Sequence, residues 1–231
     1  MLIIGHRGAA GLAPENTIEA FEAGIEAGAD MLELDVRLTS DGHLVAIHDS
    51  LLLRTHHLRR YVSHLTLEEL RSLTVTTPVP TLREVFDRYF GKIILNIELK
   101  SRGSGVATYQ LLEKYYVKRT SDWDNVIVSS FKARELIELR RLSHRINLSL
   151  LHDRNPFMFI AYARRLNLTG VSFHRLHLHR FALEVAKKSG LFTAVYTVNR
   201  PGTARILEQE GYDAIFTNYP DKMVETFTRS R

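Results

Sequence analysis

Short apolar runs typical of β-strands alternate along this chain with segments that repeat apolar residues at helical spacing. The strand-like runs lie at residues 2–6, 31–36, 93–99, 126–130, 146–151, 170–173, 193–198 and 213–217. Helical patterns occupy residues 17–27, 66–73, 82–90, 105–117, 132–142, 156–166, 178–189 and 202–210. This alternation predicts an α/β protein, a closed TIM-type (β/α)8 barrel of parallel strands, with an open doubly wound sheet as the competing arrangement.

The residues at the ends of several helical segments agree with this division. Capping-box spacing occurs in Asn16…Glu19, Thr66…Glu69 and Thr81…Glu84. The predicted capping residues are therefore Asn16 or Thr17, Thr66 and Thr81. Glycines at positions where helices commonly end follow three helical segments, as Gly28, Gly190 and Gly211.

A ninth strand-like run, residues 44–49, follows the second strand through the turn residues 39–42 rather than through a helix. It is therefore predicted to return antiparallel to the second strand, in a hairpin that pairs Leu38 with Leu44. This hairpin brings His48 back beside two carboxylates of the second strand, although His48 would be far from them in an extended chain.

Residues 50–80 interrupt the barrel pattern with three histidines and several arginines. We interpret them as an insertion over the barrel mouth, either solvated or gating the substrate, within a single domain of residues 1–231. Its basic residues include Arg54, His56, His57, Arg59, Arg60 and His64.

Bulk composition narrows the classes of partner and compartment. The formal charge of +5 suits anionic partners, but the basic residues are dispersed and RNA-binding signatures are lacking, which argues against nucleic acid. The absence of cysteine excludes disulfides and thiolate metal sites and fits a cytoplasmic protein. No apolar run approaches the ~20 residues of a membrane span, so we expect a soluble protein without stable membrane insertion. Nothing in the composition indicates an oligomeric state.

Carboxylates interrupt two strands that are otherwise apolar. In residues 32–36 the alternation of side chains places Glu33 and Asp35 on one face, and in residues 93–100 it groups Glu98 with Asn96 and Lys100. Three acids on one barrel rim repel one another unless a cation neutralises them.

The acids therefore predict one bound divalent cation. Ligands that are all oxygen atoms favour Mg²⁺ or Ca²⁺, with Mn²⁺ also acceptable, over zinc. The alternative is that the three acids form ordinary ion pairs with Arg7, Arg37 or Lys100.

His6 and Arg7 end the first strand, which places both at the same barrel mouth as the acids. Cleavage of a phosphodiester needs one group that accepts a proton, another that donates one, and cations for the charge on phosphate. His6 and His48 are candidates for the two proton-transfer roles, and Arg7 and Lys100 for the cations.

Three segments carry a resemblance to a known family: HRGAAGLAPENTIEAFEAGIEAGAD (6–30), LELDVRLTSDGHLVAIHD (32–49) and NIELK (96–100). They resemble the glycerophosphodiester phosphodiesterase family. The resemblance extends, in the same order, through PVPTLREVF (78–86), VIVSSF (126–131), VYTVN (195–199) and DAIFTNYPD (213–221), and so covers nearly the whole chain.

The resemblance implies hydrolysis of small glycerophosphodiesters, such as glycerophosphocholine or glycerophosphoethanolamine, to glycerol 3-phosphate and an alcohol. It also implies a TIM-type barrel with an inserted segment. The implied roles are acid/base catalysis for His6 and His48, binding of one Mg²⁺ or Ca²⁺ for Glu33, Asp35 and Glu98, and phosphate contact for Arg7 and Lys100. Whether water or the neighbouring glycerol hydroxyl attacks phosphorus, and which histidine is the acid, stay open.

Other matching or departing positions bear on the substrate. Pro14-Glu15-Asn16 matches the family, and we interpret it as architectural, with Asn16 as a helix cap and Glu15 as a secondary substrate-binding candidate. Tyr196 stands where the family often has tryptophan, and Asn218 replaces a frequent aspartate. Tyr196 and Phe131 are candidate aromatic walls for the alcohol portion of the substrate, or else core residues.

Three alternatives remain. A zinc site in residues 174–179 is disfavoured, because no carboxylate or cysteine lies near His177 and His179 in sequence. A lysophospholipase D or phospholipase C-like enzyme would need an exposed apolar rim in residues 50–80, where only scattered leucines occur. A noncatalytic basic binding protein would not need the catalytic set of residues.

Overall fold

The computed structural model describes residues 1–228, within which eight parallel strands close into a barrel. The strands in chain order are β1 (Leu2–Gly5), β2 (Met31–Leu38), β3 (Leu44–Ala46), β4 (Ile94–Leu99), β5 (Val126–Ser130), β6 (Asn147–His152), β7 (Gly170–His174), β8 (Phe192–Tyr196) and β9 (Ala214–Thr217). Every strand except β3 pairs in parallel with its neighbours, and β9 and β2 both pair with β1, which closes the ring. The predicted TIM-type barrel is confirmed.

Helices surround the barrel. They are α1 (Ile18–Glu26), α2 (Leu53–His56), α3 (Leu67–Leu73), α4 (Leu82–Tyr89), α5 (Ser104–Leu111), α6 (Ala133–Leu142), α7 (Ile160–Leu166), α8 (Arg180–Lys188), α9 (Pro201–Glu210) and α10 (Pro220–Thr228). Shorter helical turns span Val62–His64, Leu112–Tyr116 and Thr120–Asn125. Among these described helices, none is long and apolar enough to cross a membrane.

Some predicted element boundaries were wrong for identifiable reasons. The helix predicted at 105–117 is α5 followed by a π-helical turn, and α2 and α10 were not predicted. The helix predicted at 156–166 begins only at Ile160, because Asn155 Oδ1 accepts a hydrogen bond from Phe157 N in a turn. The strand predicted at 44–49 ends at Ala46.

The hydrophobic core lies mainly between the barrel and the helices. Outward-facing side chains of the strands, such as Leu34, Val128 and Phe173, are fully buried there with helix residues such as Phe21 and Phe86. Because successive side chains of a strand alternate between faces, the residues between them point into the barrel. This alternation places the polar residues of β2 and β4 inside.

The three predicted helix starts are confirmed. Thr66 and Thr81 each form a complete capping box with a glutamate. Of the two candidates for α1, Thr17 and not Asn16 is the cap, and it accepts a hydrogen bond from Ala20 N at 3.1 Å. Asn16 adopts a positive φ of 58°, which turns its side chain away from the helix.

The predicted hairpin is confirmed, with β3 antiparallel to β2 and Leu38 paired with Leu44. Residues 50–80 pack against β3 around a small apolar cluster of their own. Its buried members are Val45, Ile47, Leu52, Val62, Leu65, Leu70 and Val79. This second cluster holds α2 in place beside the barrel.

Candidate active site

Three carboxylates meet inside the C-terminal end of the barrel. Glu33 and Asp35 lie on β2 and Glu98 lies on β4, with Asp35 directly opposite Glu98 in the parallel register. All three are buried, and one ligand atom from each lies within 4.8 Å of the others. The structure thus brings together the three acids that the strand alternation predicted.

Two cations from the chain partly neutralise this cluster. Lys100 Nζ lies 3.1 Å from Asp35 Oδ1 and also pairs with Glu98, and Arg7 Nε lies 3.2 Å from Asp35 Oδ2. Burial would raise the pKa of Asp35, but Lys100 and Arg7 outweigh it and lower this pKa to about 2. The charge on Asp35 is therefore secured by the protein itself.

The other two acids are less well compensated. Burial, followed by the charge on Asp35, raises the pKa of Glu33 well above its usual value. The same two causes raise the pKa of Glu98 to about 7. Glu33 Oε1 is buried and accepts no hydrogen bond. Arg7 therefore does not fully compensate the charge of Glu33.

These donors fit one hard divalent cation. Oxygen ligands surround Ca²⁺ at about 2.3–2.6 Å and Mg²⁺ at about 2.0–2.1 Å, so two ligands of one ion are at most about 4–5 Å apart. The ligand oxygens of the three carboxylates lie within 4.8 Å of one another, which fits the spacing around Ca²⁺ and slightly exceeds the spacing around Mg²⁺. The buried Glu33 oxygen without a partner is the kind of atom that such an ion would satisfy.

Asn16 orients the central acid. Its Nδ2 donates to Asp35 Oδ2 at 2.9 Å, and Asp35 N donates back to Asn16 Oδ1 at 3.0 Å. The predicted helix cap is therefore a positioning residue of the acid cluster. The sequence pattern missed it, since its only local signal was a capping preference that Thr17 fulfils instead.

His6 follows β1 and is partly buried beside Arg7. Its Nδ1–H donates to Asn218 Oδ1 at 2.7 Å, which leaves Nε2 as the nitrogen for proton transfer. Burial and the neighbouring Arg7 charge lower the pKa of His6 to about 4, so the ring is neutral at pH 7. Asn218, the departure noted in the sequence, holds this histidine.

His48 is held by a carboxylate instead. Its Nδ1–H donates to Asp49 Oδ1 at 2.6 Å, and Arg54 Nε donates to Asp49 Oδ2 at 2.6 Å. The same guanidinium donates to both oxygens of Glu15, at 2.6 and 2.8 Å, and Glu15 in turn accepts from Arg7 Nη1 at 2.9 Å. A continuous chain of hydrogen bonds therefore joins Arg7 to His48 through a residue of α2.

Backbone geometry fixes Arg7 as well. Arg7 has a φ of 53°, and its N–H donates to Glu33 Oε2 at 2.8 Å. The following Gly8 has a φ of 83°, and a Cβ there would lie 2.5 Å from the backbone of Ala20. The tight turn after β1 therefore requires glycine at this position.

The two predicted aromatic residues lie together next to Lys100. The rings of Phe131 and Tyr196 are 5.7 Å apart and perpendicular, and Lys100 Nζ lies 5.5 Å from the Phe131 ring. Phe131 is exposed, whereas the Tyr196 hydroxyl donates to His152 O at 2.7 Å. His174, at the end of β7, packs against Tyr196 at 5.4 Å.

Comparison with known proteins agrees with this geometry. Residues 6–222 match the family model described as the glycerophosphoryl diester phosphodiesterase family. A glycerophosphodiester phosphodiesterase of Caldanaerobacter subterraneus is 32% identical, with 96% of each chain covered. Similar structures include a Thermotoga maritima glycerophosphodiester phosphodiesterase (30% identity, 100% and 98% covered, TM-score 0.84). Another is an Oleispira antarctica phosphodiesterase in complex with the product sn-glycerol-3-phosphate (26% identity, 99% and 97% covered, TM-score 0.86).

The match covers the strands that carry the acids, both histidines and the turn after β1. The chain therefore belongs to the glycerophosphoryl diester phosphodiesterase family and is a phosphodiester hydrolase.

Proposed function

We propose that this protein hydrolyses glycerophosphodiesters to glycerol 3-phosphate and an alcohol with one bound divalent cation and two histidines. The observation that carries the proposal is the buried cluster of Glu33, Asp35 and Glu98, with His6 and His48 at the same barrel mouth. Glycerophosphocholine and glycerophosphoethanolamine are the expected substrates. Residues 1–231 act as one catalytic domain, and we expect the enzyme in the cytoplasm.

Glu33, Asp35 and Glu98 hold the cation, which is Mg²⁺ or Ca²⁺, with Mn²⁺ also acceptable. When bound, it withdraws electron density from the phosphate and stabilises the charge that develops there. Lys100, which lies beside Asp35 and Glu98, would contact a phosphate oxygen where these two acids hold the cation. The guanidinium of Arg7 supplies a second positive side chain besides Lys100, and its hydrogen bond to Glu15 holds it in place.

The two histidines differ in the partner of Nδ1, and this difference supports separate roles. His6 donates to the neutral amide of Asn218, so it is suited to accept a proton at Nε2 from the attacking oxygen. Burial gives His48 a lowered pKa, and its hydrogen bond to the carboxylate of Asp49 acts in the opposite direction and favours a protonated ring. We therefore assign His6 as the base and His48 as the acid that protonates the leaving alcohol.

The aromatic residues border the alcohol side of the site. Phe131, which follows β5, and Tyr196, at the end of β8, form a wall beside Lys100. A phosphate bound between Lys100 and Arg7 would direct its alcohol group towards this wall. Such a surface suits a trimethylammonium group, because cations are attracted to the faces of aromatic rings.

The test compares two substrates in His6→Ala and His48→Ala. Glycerophosphocholine has a leaving alkoxide that needs a proton, whereas a glycerol phosphodiester of p-nitrophenol does not. If His48 is the acid, His48→Ala should lose at least 100-fold in kcat/KM on the first substrate and less than tenfold on the second. His6→Ala should lose similar factors on both.

The opposite pattern would exchange the two roles. Retention of activity on both substrates in either variant would remove that histidine from the mechanism. Asn218→Ala serves as a matched control, since it removes the partner of His6 but leaves the partner of His48. Asn218→Ala should lower kcat/KM on both substrates, as His6→Ala does, but by a smaller factor.

A further inference from the structure

Exposed apolar side chains cluster on two loops of the barrel mouth. The loops follow β6 and β7, at residues 153–159 and 175–179, and lead into α7 and α8. In a barrel of parallel strands, loops that follow strands lie on the C-terminal face, which here is also the face of the acid cluster. These two loops therefore border the candidate active site.

We give the name loop patch to the exposed apolar side chains of the two loops and of the first turns of α7 and α8, which are Met158, Leu176, Ile160 and Phe181. Leu176 is 67% exposed and Phe181 is 59% exposed, and Met158 and Ile160 are also exposed. The partly buried Phe157 links the two segments, since its ring lies 5.0 Å from the ring of His179 in the second loop and 6.3 Å from the ring of Phe181 at the start of α8. Several exposed apolar residues in one region of a surface are uncommon where that surface meets only water.

Positive charge surrounds these side chains. Arg154, Arg175 and Arg180 are exposed in or beside the two loops. The acid within the two loops is Asp153, so positive charge is in excess there. Arg180 Nε also lies 3.5 Å from Glu184 on the exposed side of α8. The loop patch thus combines exposed apolar side chains with exposed arginines that neighbour them in sequence.

We propose that the loop patch docks the barrel mouth reversibly on an anionic phospholipid bilayer. Apolar side chains surrounded by arginine match the bilayer interface, where acyl chains lie beneath negatively charged head groups. The arginines favour a partner that carries negative charge over a protein of ordinary surface charge. Because no described helix crosses a membrane, the contact is peripheral.

Continuity with the active site gives this docking a consequence. His174, the last residue of β7, packs against Tyr196, and His177 lies 5.4 Å from His174 across the start of the second loop. The loop patch therefore begins where the proposed aromatic wall ends. A docked enzyme presents its mouth to the membrane surface, where diesters derived from phospholipids are produced.

Vesicle co-sedimentation tests the proposal with the full-length protein. The probes are vesicles of phosphatidylcholine alone and vesicles in which about 30% of the lipid is phosphatidylglycerol, at low and at physiological salt. The wild type should partition onto anionic vesicles at least tenfold more strongly than onto neutral ones. Raised salt should weaken this binding, because the electrostatic attraction is screened over about 8–10 Å.

Two variants separate the apolar and the basic contributions. Leu176→Ser/Phe181→Ser should reduce partitioning onto anionic vesicles at least tenfold, and Arg154→Gln/Arg175→Gln should remove the preference for anionic lipid. The matched control is Leu142→Ser/Ile206→Ser, which removes two exposed apolar side chains outside the mouth loops, on α6 and α9. It should bind within twofold of the wild type.

Release of glycerol 3-phosphate from a soluble diester verifies that each variant is folded, since none of these residues is assigned to the catalytic site. Equal binding to both kinds of vesicle, or unchanged binding of Leu176→Ser/Phe181→Ser, would overturn the proposal. So would a dimer in vesicle-free buffer that this variant converts to a monomer, because the loop patch would then be a contact between two copies. The outcome does not depend on the assigned roles of the histidines.

Discussion

Binding of Mg²⁺ should stabilise the folded protein through Glu98, and replacing this residue by glutamine should cancel the effect. Glu98 is one of three buried acids, and an ion held only in the folded state stabilises it by RT ln(1 + [L]/Kd). At a hundredfold excess over Kd this amounts to about 2.7 kcal/mol. For a chain of this size each kcal/mol shifts Tm by about 2–4 °C, so a rise of about 5–10 °C is expected.

The Glu98→Gln variant separates metal binding from other effects of the substitution. In chelator it should be at least as stable as the wild type, since one of three mutually repelling buried charges is gone and Lys100 keeps its 3.1 Å contact with Asp35. In saturating Mg²⁺ most of the rise in Tm should be lost. Wild type and Glu98→Gln would therefore differ in opposite directions in the two buffers.

Thermal unfolding followed by fluorescence, with EDTA and then with excess MgCl₂ or CaCl₂, measures the Tm without the ion and the rise in Tm when the ion is added. Glu138→Gln is a suitable control, because Glu138 is a surface residue of α6 paired with Arg134. It should respond to the cations like the wild type. An equal rise in Tm for Glu98→Gln and the wild type would show that the ion binds elsewhere, and the assignment of the site would be refuted.

Three further predictions concern residues that support the site or the barrel. Buried His152 has no hydrogen bond to either ring nitrogen, and burial lowers its pKa to about 4. The contribution of neutral His152 to the free energy of unfolding should therefore be fully present above pH 6.5. It should fall by on the order of 3 kcal/mol as the pH is lowered towards 4, because the unfolded chain takes up the proton first. Urea unfolding should show a smaller loss of stability with falling pH in His152→Leu than in the wild type, and the same pH profile in both proteins would contradict this. Asn16→Ala should cost about 2 kcal/mol or more in urea unfolding and lower kcat, because Asp35 loses two buried hydrogen bonds; unchanged kcat would deny the positioning role. Half-exposed Arg54 should contribute less than about 1 kcal/mol to stability. Arg54→Ala should nevertheless lower kcat at least tenfold, and Arg54→Lys should keep part of the lost activity. A fall in Tm with normal kcat in Arg54→Ala would indicate a purely structural role.

The barrel and its acid cluster could be predicted because both depend on local periodicity. Alternation along β2 and β4 placed Glu33, Asp35 and Glu98 on the inner face, and the parallel register then set Asp35 opposite Glu98. The hairpin from β2 to β3 was equally local, since turn residues and the pairing of Leu38 with Leu44 determine it.

The partners of the catalytic candidates depend on long-range packing and could not be predicted in this way. His6 meets Asn218 across 212 positions of sequence, which only closure of the barrel brings about. Arg54 reaches Glu15 because residues 50–80 form their own apolar cluster, and no periodic pattern marks that contact. The loop patch was missed for a similar reason, since exposure of Leu176 and Phe181 is a property of the folded surface.

The central claim is metal-dependent hydrolysis of a glycerophosphodiester at the acid cluster. One ³¹P NMR experiment tests it most directly, by following glycerophosphocholine with purified protein first in chelator and then after addition of excess Mg²⁺, Ca²⁺ or Mn²⁺. The account predicts a stable diester signal in chelator and its conversion to glycerol 3-phosphate once an effective cation is present. Equal turnover in chelator, or none with any of the three cations, would contradict it.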